Sequence, residues 1–348
     1  MKPFAYLLLI LTASTGVSAQ DVSSAAKITA DASASATAFL ATLNPQQLKK
    51  VSYEFTDEKQ RHNWSNLPIR MAPRGGLRWG DLNQDQKDAV AAMLKACLSQ
   101  NGYQQIVDNM EGDEVLKTEG RNRRGGGPMF GRDEYYVSIL GKPSTSEPSS
   151  SEPWMLQFGG HHLAFNITVV EERMTISPTL SGGQPVDFTV DGRVVRQLAA
   201  EEDKSFELIG SFNAEQLQQT LLGDRYTDMR YGPGKEGAEP KQEGINAASL
   251  QPKQQQLLLE LIAERMGLMK EVFAKNRMQQ IKSDLGQTWL SWYGDVEKGG
   301  AATFRIQGPT ILMEYSPQRL GGVPTNHIHA MYRDPTNDYG VKLVKESK

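Results

Sequence analysis

Four of the five histidines in this 348-residue chain fall in two short clusters, and clustered imidazoles are candidates for metal or acid–base chemistry. The first cluster is His161 and His162, and the second is His327 and His329. Because strand side chains alternate between two faces, the second pair is predicted to place both rings on one face, where neutral imidazoles can chelate an ion. Adjacent histidines on a regular strand point to opposite faces, so His162, on the more polar face, is favoured over His161 unless a bulge follows Gly160.

A carboxylate, Glu314, interrupts an otherwise apolar run near the second cluster. A buried carboxylate needs a partner, because burying an isolated charge is costly. A metal ion held by His327 and His329 would be one such partner, and two histidines with one carboxylate form a recognised catalytic metal set. An ordinary salt bridge from Glu314 to Arg333 or Arg305 is the alternative.

The polar turn that begins at Arg333 supplies the remaining candidates for catalysis. The fork of the Arg333 guanidinium suits an anionic group of a substrate. Asp334 or Asp338 is predicted to orient a metal-binding histidine by accepting a hydrogen bond from its other ring nitrogen. The alternative is a structural turn stabilised by its own aspartates. The fifth histidine, His62, is interpreted as a surface or capping residue.

These residues favour an enzyme that depends on a divalent transition metal, namely Zn, Cu or Fe. Such an ion would support hydrolysis through activated water, and Cu or Fe would also support redox chemistry. The second hypothesis is a non-catalytic protein of the cell envelope, which binds a small-molecule or anionic ligand, or a metal, in a cleft. In the third, the histidines only form hydrogen bonds and no cofactor is bound.

An internal repeat organises the elements that must position these residues. Residues 39–48 resemble residues 208–217, and each stretch reads as a helix end, an Asn cap and a new helix. Short β runs then follow in the same order in both halves: 136–141, 154–160 and 163–169, then 289–294, 302–307 and 311–315. The predicted fold is α+β and internally duplicated, with a first half at 37–200 and a second half at 201–348. Each half has helices followed by an antiparallel strand meander, and packing about a pseudo-twofold axis is expected to bring the two histidine clusters together.

The first 19 residues read as a secretory signal peptide. Lys2 gives a positive start, residues 4–12 are apolar, and Val17-Ser18-Ala19 is a small-residue cleavage pattern. The apolar run is too short for a membrane span, so the mature protein is expected to be periplasmic or secreted, without a stable span. Residues 20–36 are expected to form a flexible leader or the start of the first helix.

The overall composition excludes some classes of protein. With 38 Lys and Arg against 41 Asp and Glu, the formal charge is -3, and a dedicated nucleic-acid-binding protein is not expected. The single cysteine, Cys97, excludes an intrachain disulfide framework and a cysteine-rich metal cluster.

Several short motifs, spread over roughly residues 35–343, are weak alone but specific in combination. They are Arg61-His62-Asn63-Trp64, Gly80-Asp81-Leu82, Leu98-Ser99-Gln100-Asn101-Gly102-Tyr103, Gly159-Gly160-His161-His162-Leu163, Ser177-Pro178-Thr179 and Asn326-His327-Ile328-His329 with the turn through Gly340. On these motifs the chain resembles the domain of unknown function 3500 family. The resemblance implies little about activity, since the family is named for lacking an assigned one.

Overall fold

The computed structural model describes residues 19–118, 130–144, 152–320 and 322–347. Most of its helices lie in two groups, one before residue 120 and one between residues 199 and 283. The helices are α1 (Ala19–Ala41), α2 (Pro45–Val51), α3 (Glu58–Arg61), α4 (Gln84–Cys97), α5 (Gln100–Leu116), α6 (Ala199–Gly210), α7 (Ala214–Thr220), α8 (Pro252–Met266), α9 (Glu271–Ser283) and α10 (Val341–Glu346).

The strands lie mainly after each helical group. They are β1 (Ser52–Tyr53), β2 (Leu77–Arg78), β3 (Tyr136–Gly141), β4 (Trp154–Gly160), β5 (Leu163–Val170), β6 (Arg173–Thr175), β7 (Thr179–Gly183), β8 (Asp187–Val190), β9 (Arg193–Arg196), β10 (Leu221–Gly223), β11 (Ile245–Asn246), β12 (Trp289–Gly294), β13 (Ala302–Gln307), β14 (Leu312–Pro317) and β15 (Ile328–Arg333). The predicted α+β class is therefore confirmed.

One mixed sheet contains most of these strands, in the order β1-β3-β4-β5-β7-β15-β14-β13-β12-β10. The two outermost pairs, β1 with β3 and β10 with β12, are parallel, and the neighbouring pairs between them are antiparallel. The predicted hairpins β3–β4 and β12–β13 are confirmed by their antiparallel registers. Strand β7 lies at the centre of the sheet, between β5 and β15, and each of these two strands begins next to one of the histidine clusters.

Asn caps begin comparable helices in the two parts of the chain, as the sequence predicted. Asn44 caps α2 and Asn213 caps α7, and each accepts the backbone N–H of the Gln three residues later at 2.9 Å. The side chain of that Gln bonds a Gln in the first turn of the next long helix: Gln47 with Gln86, and Gln216 with Gln254. These amide pairs fix how each short helix sits against the following long helix.

Helix α1 contains the residues that were expected to form a flexible leader or the start of the first helix. Residues 20–36 are helical in the structure, and α1 packs against α4. Ala32, Ala36 and Phe39 are fully buried in the main core. The stretch is helical because small residues recur at helical spacing, giving it a face that can be buried. Residues 1–18, which hold most of the proposed signal peptide, lie outside the described residues. Of the residues described, none form a helix with the length and apolar character that crossing a membrane requires.

Candidate metal centre

The first histidine cluster lies in a tight turn rather than on a strand. Gly160, at the end of β4, pairs with Leu163, at the start of β5, so His161 and His162 form a two-residue hairpin loop. His162 has φ 58°, in the left-handed region that such loops require. The strand interpretation predicted that the two rings point to opposite faces of a sheet. Because the residues lie in a turn, the rings do not. Their centroids lie 3.5 Å apart and their planes differ by 30°, so the rings stack.

Strand register brings the second cluster to this turn. His329 lies in β15, and His327 immediately precedes that strand. In the intervening strand β7, Ser181 pairs with Leu163 of β5 on one side and with Ala330 of β15 on the other. His162, next to Leu163, and His329, next to Ala330, therefore lie on either side of one strand, although more than 160 positions separate them along the chain.

Three imidazoles meet at this point. The ring centroids of His162, His327 and His329 lie 4.8, 5.0 and 5.0 Å apart, and the three planes are strongly inclined to one another. One ring nitrogen from each residue lies within 4.8 Å of the other two. The Nε2 atoms of His162 and His327 are 2.9 Å apart. All three residues are buried, so the nitrogens face one another with little access to water.

The hydrogen bonds of these rings define which nitrogens remain available. His327 Nδ1 donates to the carbonyl oxygen of Leu320, which leaves a lone pair on Nε2. His329 Nδ1 lies 3.3 Å from Nδ2 of Asn66, while His329 Nε2 is buried without a hydrogen-bond partner. A buried polar atom without a partner is unusual, and the centroid of the His329 ring lies 5.0 Å from those of His162 and His327.

Burial sets the charge state of the cluster. It lowers the pKa of His162 and of His329 well below the usual imidazole value, and neighbouring histidines lower both further by charge repulsion. Both rings are therefore neutral at physiological pH. Neutral imidazole is also the form that binds transition metals, so folding delivers these ligands already deprotonated.

His161 has a different partner, Asp113 of α5. Asp113 Oδ1 lies 2.8 Å from His161 Nδ1, and burial raises the pKa of the Asp113 carboxyl group. Asp113 and both histidines of the turn also form a compact group of ligand-type atoms. However, Nδ1 of His161 is already engaged by Asp113, so that nitrogen has no lone pair left for an ion. The geometry therefore suits His161 as a support for His162, with Asp113 holding His161 from behind.

Sequence reasoning missed Asp113, although helix α5 carries a detectable signal. Gln105, Asn109 and Asp113 follow one another at four-residue spacing, so they share one face of the helix. Asn109 Nδ2 donates to the carbonyl oxygens of His162 and Gly182, and the Gln105 side chain bonds Ser181. A polar stripe on an otherwise packed helix indicates a buried polar partner, but the sequence does not identify that partner.

Glu314 is held away from the imidazoles by other partners. It accepts from Arg305 Nε at 2.8 Å and from the backbone N–H groups of Arg230 and Tyr231 at 3.1 and 2.8 Å. The salt bridge to Arg305 that the sequence offered as an alternative is thus present. Among the residues described, the groups of candidate ligand atoms contain the histidines and Asp113 but not Glu314.

The polar turn at 333–340 is likewise occupied by structural contacts. Arg333, Asp334 and Asp338 are each engaged by a side chain outside the turn, respectively Glu236, Arg277 and Ser177. The structure thus does not place Asp334 or Asp338 behind a histidine of the cluster; Asp113 takes that place. His62 lies at the end of α3, where its backbone caps the helix, and its ring packs on Tyr339 with centroids 5.1 Å apart.

Comparison with known proteins gives one match. The family model described as "Protein of unknown function (DUF3500)" matches residues 25–341, which is nearly the whole chain. No curated protein and no solved structure matches the chain.

Proposed function

The chain belongs to the DUF3500 family, and we propose that it is a metal-dependent enzyme whose ion is held by His162, His327 and His329. The ligand set is three imidazoles, which suits Zn, Cu or Fe. A bound ion would supply Lewis acidity for hydrolysis, or electron transfer if it is Cu or Fe. The residues of this chain orient the three rings, keep His162 and His329 neutral and exclude bulk water.

The spacing of the three rings is the observation that carries this proposal. An ion bound at about 2.1 Å lies about 3.2 Å from each ring centroid. Two such centroids would be about 4.5 Å apart at a right angle and about 5.2 Å apart at the tetrahedral angle. The observed separations of 4.8, 5.0 and 5.0 Å fall between these limits. The Nε2–Nε2 distance of 2.9 Å also fits two ligands near a right angle.

Two further features support the proposal. The first favours a catalytic over a purely structural ion, and the second argues against a cluster that only forms hydrogen bonds. Three protein ligands on one side leave at least one coordination position open, which is typical of catalytic sites, whereas structural sites are closed by four. In addition, simple hydrogen bonding leaves His329 Nε2 buried and unpaired, so it accounts for the cluster poorly.

Elemental analysis of the untagged, full-length protein tests the proposal. We expect about one transition-metal ion per chain, and loss of that ion in His327→Ala. The matched control is His62→Ala, which removes a histidine outside the cluster and should keep the ion. Circular dichroism of each variant separates loss of metal from loss of fold. A folded wild-type protein that binds neither Zn²⁺ nor Cu²⁺ nor Fe²⁺ contradicts the proposal.

Burial favours a second candidate function, a non-catalytic metal- or ligand-binding protein of the cell envelope. The most exposed of the four clustered histidines, His327, is only 8% exposed. A Co²⁺-substituted protein distinguishes the two functions, because azide, a small anion, shifts its visible spectrum only if a coordination position is accessible. An unchanged spectrum at saturating azide would favour the non-catalytic function.

We also propose that the chain is an internal duplication packed about a pseudo-twofold axis. The sheet order supports it, since β1-β3-β4-β5 at one end and β10-β12-β13-β14 at the other both begin with a parallel pair. The paired Gln contacts after each Asn cap support it as well. An experimental structure in which residues 38–190 and 208–340 have unrelated topologies would contradict this proposal.

Secretion is the remaining proposal. The apolar run at residues 4–12 and the Val17-Ser18-Ala19 pattern support a signal peptide that is cleaved after Ala19, with a periplasmic or secreted mature protein. N-terminal sequencing of the protein from the expressing cells should begin at Gln20. Exported protein that still begins at Met1 would contradict it.

A further inference from the structure

Asn66 contacts both histidine clusters at the point where they meet. Its backbone oxygen accepts from the backbone N–H of His162 at 3.3 Å, and its side-chain Nδ2 lies 3.3 Å from Nδ1 of His329. It lies in the segment between α3 and β2, which belongs to neither cluster. Asn66 is therefore the residue outside the clusters that is best placed to control the orientation and tautomer of His329.

The hydrogen bond from the Asn66 amide determines which nitrogen of His329 carries the ring proton, and so which nitrogen can bind an ion. As the amide is oriented, Nδ2 donates to a lone pair on His329 Nδ1, so the ring proton resides on Nε2. That Nε2 atom is buried and lacks a hydrogen-bond partner, and the centroid of the His329 ring lies 5.0 Å from those of His162 and His327. An ion bound at Nε2 requires the proton on Nδ1 instead, and Nδ1–H then needs an acceptor.

We propose that Asn66 is the positioning residue for His329, and that its side-chain amide turns by about 180° when an ion binds, so that Oδ1 accepts from Nδ1–H. The inference rests on the proposed metal centre and deepens it. The turn exchanges an oxygen for a nitrogen of nearly equal size, so it requires no movement of the backbone. Asn66 thus stabilises either tautomer of His329, one without the ion and one with it.

Arg74 holds the backbone around Asn66 in place. Its Nη2 atom donates to the carbonyl oxygens of Ser65 and Leu67, on either side of Asn66, at 2.6 and 2.9 Å. The same Nη2 atom donates to Gly160 O, just before the histidine turn, at 2.9 Å. This clamp fixes the segment against the turn, so the side-chain amide can reorient while its backbone contact to His162 is kept.

Two substitutions of Asn66 separate its hydrogen-bonding role from a merely structural one. Asn66→Leu keeps the approximate size but removes the acceptor, and we expect its affinity for Zn²⁺ to fall about 10- to 100-fold. Asn66→Asp supplies only acceptor oxygens, so its affinity should equal or exceed that of the wild type. Asn63→Leu is the matched control, because the Asn63 amide, with its oxygen and nitrogen exchanged, bonds Pro73 O and Gly75 N within the same segment rather than a histidine.

The ring proton of His329 provides a direct readout. In ¹⁵N NMR spectra, we expect His329 to carry its proton on Nε2 in the metal-free wild type and on Nδ1 after Zn²⁺ is added. Asn66→Asp should show the Nδ1–H tautomer even without Zn²⁺. The inference is wrong if Asn66→Leu binds Zn²⁺ as tightly as the wild type, if Asn66→Asp binds as weakly as Asn66→Leu, or if Asn63→Leu loses as much affinity. Failure of the wild type to bind Zn²⁺, Cu²⁺ or Fe²⁺ would instead overturn the metal centre itself.

Discussion

The imidazole cluster and the polar turn at 333–340 are both buried and polar, but their hydrogen bonding differs. In the turn, the charged groups of Arg333, Asp334 and Asp338 are matched by side chains of opposite charge or by a hydroxyl group, and Arg333 Nε, which lacks a hydrogen bond, lies 3.6 Å from Asp338 Oδ2. In the cluster, like groups face one another, and His329 Nε2 has no partner. Charged groups matched by opposite charges indicate structure, whereas three buried imidazoles that converge on one point favour a ligand. The following substitutions test this distinction.

The largest effect is expected from His329→Ala, which removes one of the three proposed ligands. Its affinity for Zn²⁺ should fall by more than the 10- to 100-fold that loss of an outer partner causes. Isothermal titration with Zn²⁺ measures this. Arg333→Ala, in the turn, is the control and should bind Zn²⁺ like the wild type while unfolding more easily. If Arg333→Ala instead abolishes binding, the two regions do not differ as argued.

Glu314→Gln should lower the stability of the protein without changing its metal binding, which is the opposite of the effect expected for His329→Ala. The substitution leaves the buried Arg305 with only the more distant carboxylate of Glu243, 3.7 Å away, and removing one partner of a buried ion pair destabilises a protein by about 3–5 kcal/mol. Urea denaturation should show this loss, while the metal content of the folded protein should not change. Loss of metal with little loss of stability would return Glu314 to the ligand set.

Asp338 gives a pH-dependent test of the turn. Burial raises the pKa of Asp338 to about 6 in the folded protein, against an ordinary value of 3.8 for an aspartate. Between these two values the folded state holds a proton that the unfolded state has lost, so stability falls as the pH rises from about 4 to about 6. At 1.36 kcal/mol per unit, the fall is at most about 3 kcal/mol. Asp338→Asn should flatten this part of the stability profile, and an unchanged slope would assign the titration to another group.

The smallest effect is expected from Asp113→Asn, which keeps the size of the side chain that holds His161. Because Asp113 acts on the ion only through His161 and the stacked ring of His162, the affinity for Zn²⁺ should fall about tenfold or less. Competition with a chromophoric chelator can resolve a change of this size. A loss as large as that of His329→Ala would place Asp113 or His161 among the ligands.

Local patterns in the sequence predicted the local structure. The Asn caps, the hairpins β3–β4 and β12–β13 and the His327/His329 pair depend on neighbouring residues, and the sequence identified each. The orientation of His161 and His162 was not predictable, because it depends on where β4 ends and β5 begins. A loop of two residues after Gly160 replaces the alternation of a continuous strand.

Partners from distant parts of the chain were the least accessible to sequence reasoning. Asp113 and Asn66 reach the histidines only because α5 docks beside the hairpin turn and because Arg74 clamps the segment that contains Asn66. Glu314 was taken as a candidate ligand because it is a carboxylate in an apolar run. Its place was decided by Arg305, which is directly opposite it on the neighbouring strand.

The position of β7 also has a mechanical consequence. This strand is hydrogen-bonded to β5 on one edge and to β15 on the other, and the proposed ion would bind residues on both sides of it. His162 and His327 are 165 positions apart, so the ion would close the intervening chain into a ring, as a crosslink does. When the protein is stretched from its two ends, tension should pass through the ion rather than through that ring. The enclosed residues should therefore extend only after the ion is released.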